Sequence, residues 1–304
     1  MVVEGYILVV DDSSYLWMVR GYHHPHGFFI AVPRYTGSGG KVKSLRRAFE
    51  VASSTGNVMY LEGLARIVPA VRKSSVKRVL DPWSWSPAGE TIIEKTANEL
   101  VELLSDSGGL EKEAIGVTGS LLAKKVLSGL ETRDIDIVVA GTRESRKAYE
   151  ALRKLRGEGL LKPVTGRFSE SEVLDPASRT RLARNRILEG TYKGIPYSIR
   201  LLSQRVSREH DICHRLVCSW KGVIKITTPV SPYIMPYIYD ITVLKSYPVK
   251  PKPSKLYSMR LRLSEIPVGT LLEVSGVLEH DCRENTLYLN MDWPSAYARI
   301  VEIG

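Results

Sequence analysis

Hydrophobic positions along this 304-residue chain change their period from one third to the next. Within residues 5–35 the short apolar runs GYILVV, YLWMVRGY and GFFIAVPRY are separated by turn-forming Asp11-Asp12-Ser13 and His24-Pro25-His26-Gly27, a pattern that predicts β-strands. A Gly37-Ser38-Gly39-Gly40 loop follows, then a short helical pattern over 45–52 and a Pro- and Trp-rich junction at 81–87. From residue 88 the period lengthens. Ile92, Ile93, Leu100, Leu103 and Leu104 fall near one face of a helix predicted over 91–104. A strand is expected at 114–117, a helix at 121–127, a strand at 135–139, a helix at 145–155 and a basic helix at 176–189. Residues 192–202 alternate like one strand, with Pro196 suggesting an edge position. Beyond about residue 215 the runs LVCSWKGVIKITTPV, YIYDITVL, TLLEVSGVLE and NTLYLNM are β-rich and punctuated by Pro, Gly and Asn.

This pattern predicts an α+β multidomain protein. A β-rich unit over 1–87 and a central mixed α/β domain over 88–208 would precede a small β domain over 209–304. Five or so strands in that last stretch suggest a small barrel, read as OB-like from strand number.

Composition adds three constraints. No apolar run reaches about 18 residues, so no membrane span is expected, and the acid-interrupted N-terminus reads as a strand rather than a signal peptide. Three cysteines (Cys213, Cys218 and Cys282) are too few for a disulfide scaffold and point to a reducing, cytoplasmic setting. A net charge of +10 favours polyanionic partners such as nucleotides, RNA or DNA. Oligomeric state is not readable.

The chemistry concentrates between residues 115 and 139. A strand ends in Thr118-Gly119-Ser120, a helix begins, and the next strand opens on Asp134-Ile135-Asp136-Ile137. Gly119 permits close backbone approach, and the N–H groups at a helix start attract anions. Ser120 suits a helix cap or a phosphate contact. Residues two apart on a strand share a face, so Asp134 and Asp136 point together while Ile135 and Ile137 face the core. Two adjacent carboxylates repel unless a cation separates them, and Mg²⁺ is commonly held by one or two carboxylates plus substrate phosphates. The elements fit metal-assisted phosphoryl transfer.

Val117-Thr118-Gly119-Ser120, a helix-length spacer and Asp134-Ile135-Asp136-Ile137 resemble the signature of the polymerase-beta nucleotidyltransferase superfamily. The likeness covers a short stretch of the chain. It implies a Mg²⁺-dependent enzyme transferring a nucleotidyl group from an NTP to a hydroxyl acceptor, possible acceptors including RNA and DNA. By resemblance, Gly119 and Ser120 hold the triphosphate and Asp134 and Asp136 the metals. The segment GYHHPHGFFIAVPRY also resembles the N-terminus of archaeal-type proteins carrying this signature.

One departure matters. Catalysing members supply a third carboxylate from a later strand, and residues 192–202 contain no acid. Glu189, Glu209 and Asp211 are the nearby alternatives. Arg200 would pair with the aspartates, bind a phosphate or lie exposed on an edge. The alternative function is therefore a catalytically inactive nucleotide or nucleic-acid binder on the same scaffold. Other groups read more simply: His23-His24-Pro25-His26 as a turn with exposed rings, and His210 to His214 with Cys218 as surface histidines beside buried cysteines. Trp83, Trp85, Trp220 and Trp293 read as packing residues, whereas Arg179, Arg181, Arg184 and Arg186 are either a phosphate-binding or a solvated helix face.

Overall fold

The computed structural model describes the chain apart from Met1, Asp12, Glu90, residues 166–172, Ser207, residues 210–213 and Pro248. The described residues form an α+β protein with five α-helices and three multi-stranded sheets. In chain order the N-terminal strands are β1 (Ile7–Val10), β2 (Tyr15–Val19), β3 (His23–His24), β4 (Phe28–Thr36), β5 (Val58–Leu61), β6 (Arg66–Arg72) and β7 (Val76–Leu80), with α1 (Leu45–Ser54) after β4. Next come α2 (Ile92–Gly108), β8 (Ile115–Thr118), α3 (Gly119–Ala123), β9 (Ile135–Ala140), α4 (Thr142–Gly157), β10 (Leu161–Lys162), β11 (Val173–Leu174), α5 (Pro176–Ala183), β12 (Glu189–Tyr192), β13 (Ile195–Leu202) and β14 (Arg208–Glu209). The remaining strands are β15 (His214–Ser231), β16 (Ile234–Met235), β17 (Tyr237–Tyr247), β18 (Lys255–Ser258), β19 (Leu271–Asp281), β20 (Thr286–Asn290) and β21 (Tyr297–Glu302).

These elements form two compact units. One comprises Met1–Met59, Ile67–Val164 and Ile187–Asp211, the other Tyr60–Arg66, Thr165–Arg186 and Ile212–Gly304. No described helix is long and apolar enough to cross a membrane.

In the first unit, one sheet runs β5-β6-β4-β2-β1-β7 and another follows the path β10-β12-β13-β9-β8. Ile7, Leu16, Met18, Tyr35 and Leu80 of the first sheet share a core with Leu122, Ala123 and Leu130, which follow β8. The turn at Pro82–Ser84 lies beneath β8, where a Cβ on Gly116 would meet Pro82 at 2.9 Å. Helix α2 starts in a reciprocal capping box between Thr91 and Glu94 and ends at Gly109 in the left-handed region. It buries Ala97, Leu100 and Leu104, while Ile92 at its first position is exposed.

Several sequence expectations need correction. Residues 192–202 are not one strand: Lys193 and Gly194, both with positive φ, turn β12 into β13. Nor is β13 an edge, since it lies between β12 and β9. Pro196 is tolerated because it pairs with Thr191 of β12, while the ladder to β9 begins only at Tyr197. The basic helix ends at Ala183 because Arg186 turns inward, its guanidinium 1% exposed and donating to the carbonyls of Arg262 and Ser264. Strands β5, β6, β7, β18 and β21, short or interrupted by polar residues, were not anticipated.

The second unit is built on the sheet β11-β21-β19-β15-β17-β18-β20. Strand β19 also pairs with β20, so the pairings pass from β19 through β15, β17, β18 and β20 back to β19, with a parallel step between β18 and β20. Trp220, Ile224, Ile226, Tyr237, Tyr239, Leu256, Leu272 and Leu289 are buried there.

The histidine turn also differs from expectation, because His24 is 1% exposed. Its Nε2 donates to the Val2 carbonyl at 3.0 Å and its Nδ1 accepts from the Ile30 N–H at 3.2 Å, which fixes the neutral ring. Burial, and the nearby Lys73, lower its pKa to about 4. A base depressed this way contributes stability that is full above the unfolded value near 6.5 and is lost as pH falls toward 4. We expect His24→Asn to abolish about 3 kcal/mol of the acid-induced loss of stability, measured by denaturant unfolding between pH 7 and pH 4. An equally steep loss in the variant would locate the proton uptake elsewhere.

Candidate functional site

The candidate residues meet on one face of the β8–β9–β13 sheet. Antiparallel pairing sets Thr118 opposite Asp136, and parallel pairing sets Ser198 on the other side of it. Ile135 and Ile137 are fully buried on the opposite face, as the alternation predicts. Asp134 stands just before the strand, two residues from Asp136.

Gly119 is required by the carboxylate above it. Its φ is +65°, and a Cβ there would collide with Asp136 Oδ2 and lie 2.9 Å from the Asp136 Cβ and Cγ. The chain thus turns from β8 into α3 directly beneath Asp136. That helix has only five residues, so it supplies a turn rather than an extended dipole. The expected Ser120 cap is not formed: the cap position is Thr118, whose hydroxyl donates to the Gly5 carbonyl at 2.5 Å. Ser120 instead lies in the first turn, 1% exposed, with an Oγ that has no hydrogen-bond partner among the described residues. An orphaned buried hydroxyl is costly unless something satisfies it.

The two carboxylates have different surroundings. Ser198 Oγ donates to Asp136 Oδ1 at 2.5 Å. Asp134 Oδ1 is covered and has no hydrogen bond; Lys41 Nζ approaches it at 3.7 Å. Although the Asp134 side chain is 46% exposed, its partial burial and the charge of Asp136 raise its pKa from the ordinary value, with Lys41 and Arg34 opposing the shift. Tyr35, 2% exposed, has its phenol pushed up by burial and by the same two aspartates. Lys41, Arg34, Tyr35 and Ser198 are therefore members of the site that the motif alone does not reveal. Only the glycine run before Lys41 hinted at one of them.

Arg200 pairs with an acid outside the motif. Lying opposite Val138, its Nε is 3.5 Å from Glu4 Oε1. Glu4, 1% exposed, also accepts from Arg20 Nη1 at 2.8 Å and the Gly21 N–H at 2.9 Å. The position beside Asp136 on β13 belongs to Ser198. Glu189 pairs with Ser198 from β12, one strand farther away. Asp211 and the Glu209 side chain lie outside the described residues. Among the described residues no group of three or more His, Cys, Asp or Glu could hold a metal ion. The carboxylate pair still suits Mg²⁺, which takes few protein ligands and completes its shell with water and phosphate oxygens.

Other sequence candidates have structural roles. Arg181 donates to the Ile300 carbonyl, Trp220 is core, and Trp83 donates to the Ala114 carbonyl beneath the Arg205 guanidinium. Trp293 donates to Glu279 and is covered by Arg66. Residues 210–213 of the His/Cys stretch lie outside the described residues; His214 sits 3.6 Å from Glu279 and 3.4 Å from Asp281. No protein family, curated protein or solved structure was found to match the chain.

Two stability measurements test this geometry. Gly119→Ala should cost about 2 kcal/mol or more, from the left-handed backbone and the displaced carboxylate; a loss below about 0.5 kcal/mol would mean the Asp136 side chain is elsewhere. The raised Asp134 acid binds its proton more tightly folded than unfolded, so its contribution to stability is lost as pH rises from the unfolded through the folded value. Asp134→Asn should therefore melt higher than wild type at pH 7, with the difference closing below about pH 4. A variant melting lower at pH 7 would show that Lys41 attraction outweighs burial and repulsion.

Proposed function

We propose that the first unit is a polymerase-beta-type nucleotidyltransferase module that binds a nucleoside triphosphate with Mg²⁺ and transfers its nucleotidyl group to a hydroxyl acceptor. The observation that carries this reading is the Gly119–Ser120 turn packed against Asp136, with the unpaired Ser120 hydroxyl and the repelling Asp134–Asp136 pair beside it. Asp134 and Asp136 would hold the metal, which would neutralise phosphate charge when bound. Gly119 lets the backbone pass directly beneath Asp136, and the Ser120 hydroxyl would donate to a phosphate oxygen. The acceptor oxygen bonds the α-phosphorus, pyrophosphate leaves and the acceptor proton passes to solvent.

A polymeric acceptor, RNA or DNA, is favoured by the +10 net charge. We read the second unit as an OB-like barrel able to present such an acceptor, a reading supported by its ring of strand pairings. Cys218 and Cys282, both free, agree with a cytoplasmic setting. The second reading, a nucleotide binder without turnover, is favoured by Ser198, which bonds Asp136 where catalysing members carry a third acid.

Isothermal titration with each NTP in Mg²⁺, followed by labelled-NTP incubation with an RNA and DNA pool, separates the two. We expect Asp134→Ala and Asp136→Ala to lose at least about tenfold in Mg²⁺-dependent NTP affinity, because each removes a charged ligand. Incorporation by wild type alone supports transfer, binding with no incorporation into any acceptor supports the binder, and undiminished binding in both variants removes the proposal.

A further inference from the structure

Lys41 is delivered to the carboxylates by a turn built for the purpose. Residues 36–40 close tightly: the Thr36 N–H donates to the Gly40 carbonyl at 2.9 Å, the Gly39 N–H to the Thr36 carbonyl at 2.9 Å, and the Gly40 N–H to Thr36 Oγ1 at 2.8 Å. The Gly37 N–H donates to the Ser14 carbonyl at 2.6 Å. With those amides engaged, the turn is not a backbone anion nest. Its base is also fixed. Tyr35 bridges to Lys41, the Val42 N–H donates to the Arg34 carbonyl at 2.8 Å, and Arg34 Nη1 donates to the Val42 carbonyl at 2.9 Å. At the tip, Gly39 has φ +86°, and a Cβ there would lie 3.2 Å from the Gly129 carbonyl, on the segment leading to Asp134. A closely hydrogen-bonded turn thus leans on the spacer of the Gly-Ser/Asp-x-Asp motif, with the Lys41 side chain reaching Asp134.

That contact is a loose one. Lys41 Nζ stands 3.7 Å from Asp134 Oδ1, beyond hydrogen-bond reach, and its side chain is 27% exposed. A lysine is a compact charge on a flexible stem that can change partners while its backbone stays still. Asp134 Oδ1 is without a hydrogen bond among the described residues, and so is the Oγ of Ser120, the residue that follows Gly119 beneath Asp136.

We propose that Lys41 is a phosphate-binding residue of this site, neutralising Asp134 in the ligand-free protein and transferring to the phosphate oxygens of a bound triphosphate. The proposal rests on the nucleotide-binding reading above and adds to it a residue 93 positions upstream, on a different sheet. An arriving divalent ion and Lys41 compete for the same carboxylate, whereas triphosphate and Lys41 attract. The two ligands should therefore respond to a Lys41 variant in opposite directions.

The test uses the full chain, Mn²⁺ alone followed by inorganic tripolyphosphate in excess Mn²⁺, and three variants: Lys41→Met, Lys41→Arg and Asp134→Asn. Free Mn²⁺ is read by electron paramagnetic resonance and tripolyphosphate by calorimetry, with circular dichroism melts as the folding control. We expect Lys41→Met to bind Mn²⁺ as tightly as wild type or up to several-fold more tightly, and tripolyphosphate about tenfold more weakly, the loss of one charge-assisted contact. Lys41→Arg, which keeps the charge, should hold tripolyphosphate within a few-fold of wild type. If Asp134→Asn abolishes Mn²⁺ binding but Lys41→Met leaves tripolyphosphate affinity within twofold, the Lys41 proposal is overturned while the site reading survives. If Lys41→Met and Lys41→Arg both melt early and lose both ligands, Lys41 is a structural counter-ion and the proposal is wrong. Wild-type protein binding neither probe would remove the site reading and the proposal together.

Discussion

The site is organised by the absence of a side chain at residue 119. Asp136 projects from β9 into the space a Cβ would fill, so the backbone between β8 and α3 runs directly under a carboxylate. That approach requires positive φ, fixes the Gly119–Ser120 turn beneath Asp136, and keeps the sheet register aligned at Thr118, Asp136 and Ser198. Each neighbour then answers a charge problem created there. Ser198 donates to Asp136, Lys41 approaches Asp134, and Thr118 sends its hydroxyl away to Gly5 instead of competing for a carboxylate. The remaining imbalance falls on Asp134, whose proton affinity is raised by partial burial and by the Asp136 charge.

The N-terminal sheet supplies what the motif lacks. Buried Glu4 pairs with two partly exposed arginines, Arg20 just after β2 and Arg200 on β13, tying the first residues of the chain to both strands. Removing the partners of a buried carboxylate leaves an uncompensated charge, which costs more than the intact pair stabilises. Arg200 thereby contributes to cohesion. Lys41, with Arg34 behind it, is the cation the same sheet offers to the aspartates. The sheet also shares its apolar core with the spacer helix, so the loop carrying Lys41 and the turn carrying Ser120 are parts of one packed body.

How much of this was legible follows from the range of each interaction. Alternation placed Asp134 and Asp136 together and Ile135 and Ile137 in the core, because a strand's period is local. Helix α2 was legible from its apolar spacing, although Ile92 is exposed; its Thr91–Glu94 cap was a further local signal left unread. The Lys193–Gly194 turn was missed because the flanking residues continue one apolar alternation across it. Arg186 looked like one more cation of a basic helix, yet its partners are carbonyls at 262 and 264. Arg200 with Glu4 and Lys41 with Asp134 are pairs distant in sequence, and no spacing rule reaches them. Sequence distance, rather than lack of chemical signal, is what concealed half the site.

Ser198 decides which activity the geometry can sustain. A serine beside Asp136 orients one carboxylate oxygen but adds no negative charge, so the pair carries less charge than a three-carboxylate site would. Fewer carboxylates mean weaker attraction for a bare divalent ion and a greater dependence on phosphate oxygens to complete its shell. Lys41 acts in the same direction: it repels an isolated cation and attracts a polyanion. On the proposed reading, Ser198 and Lys41 would both favour a metal that arrives with triphosphate over a bare metal ion.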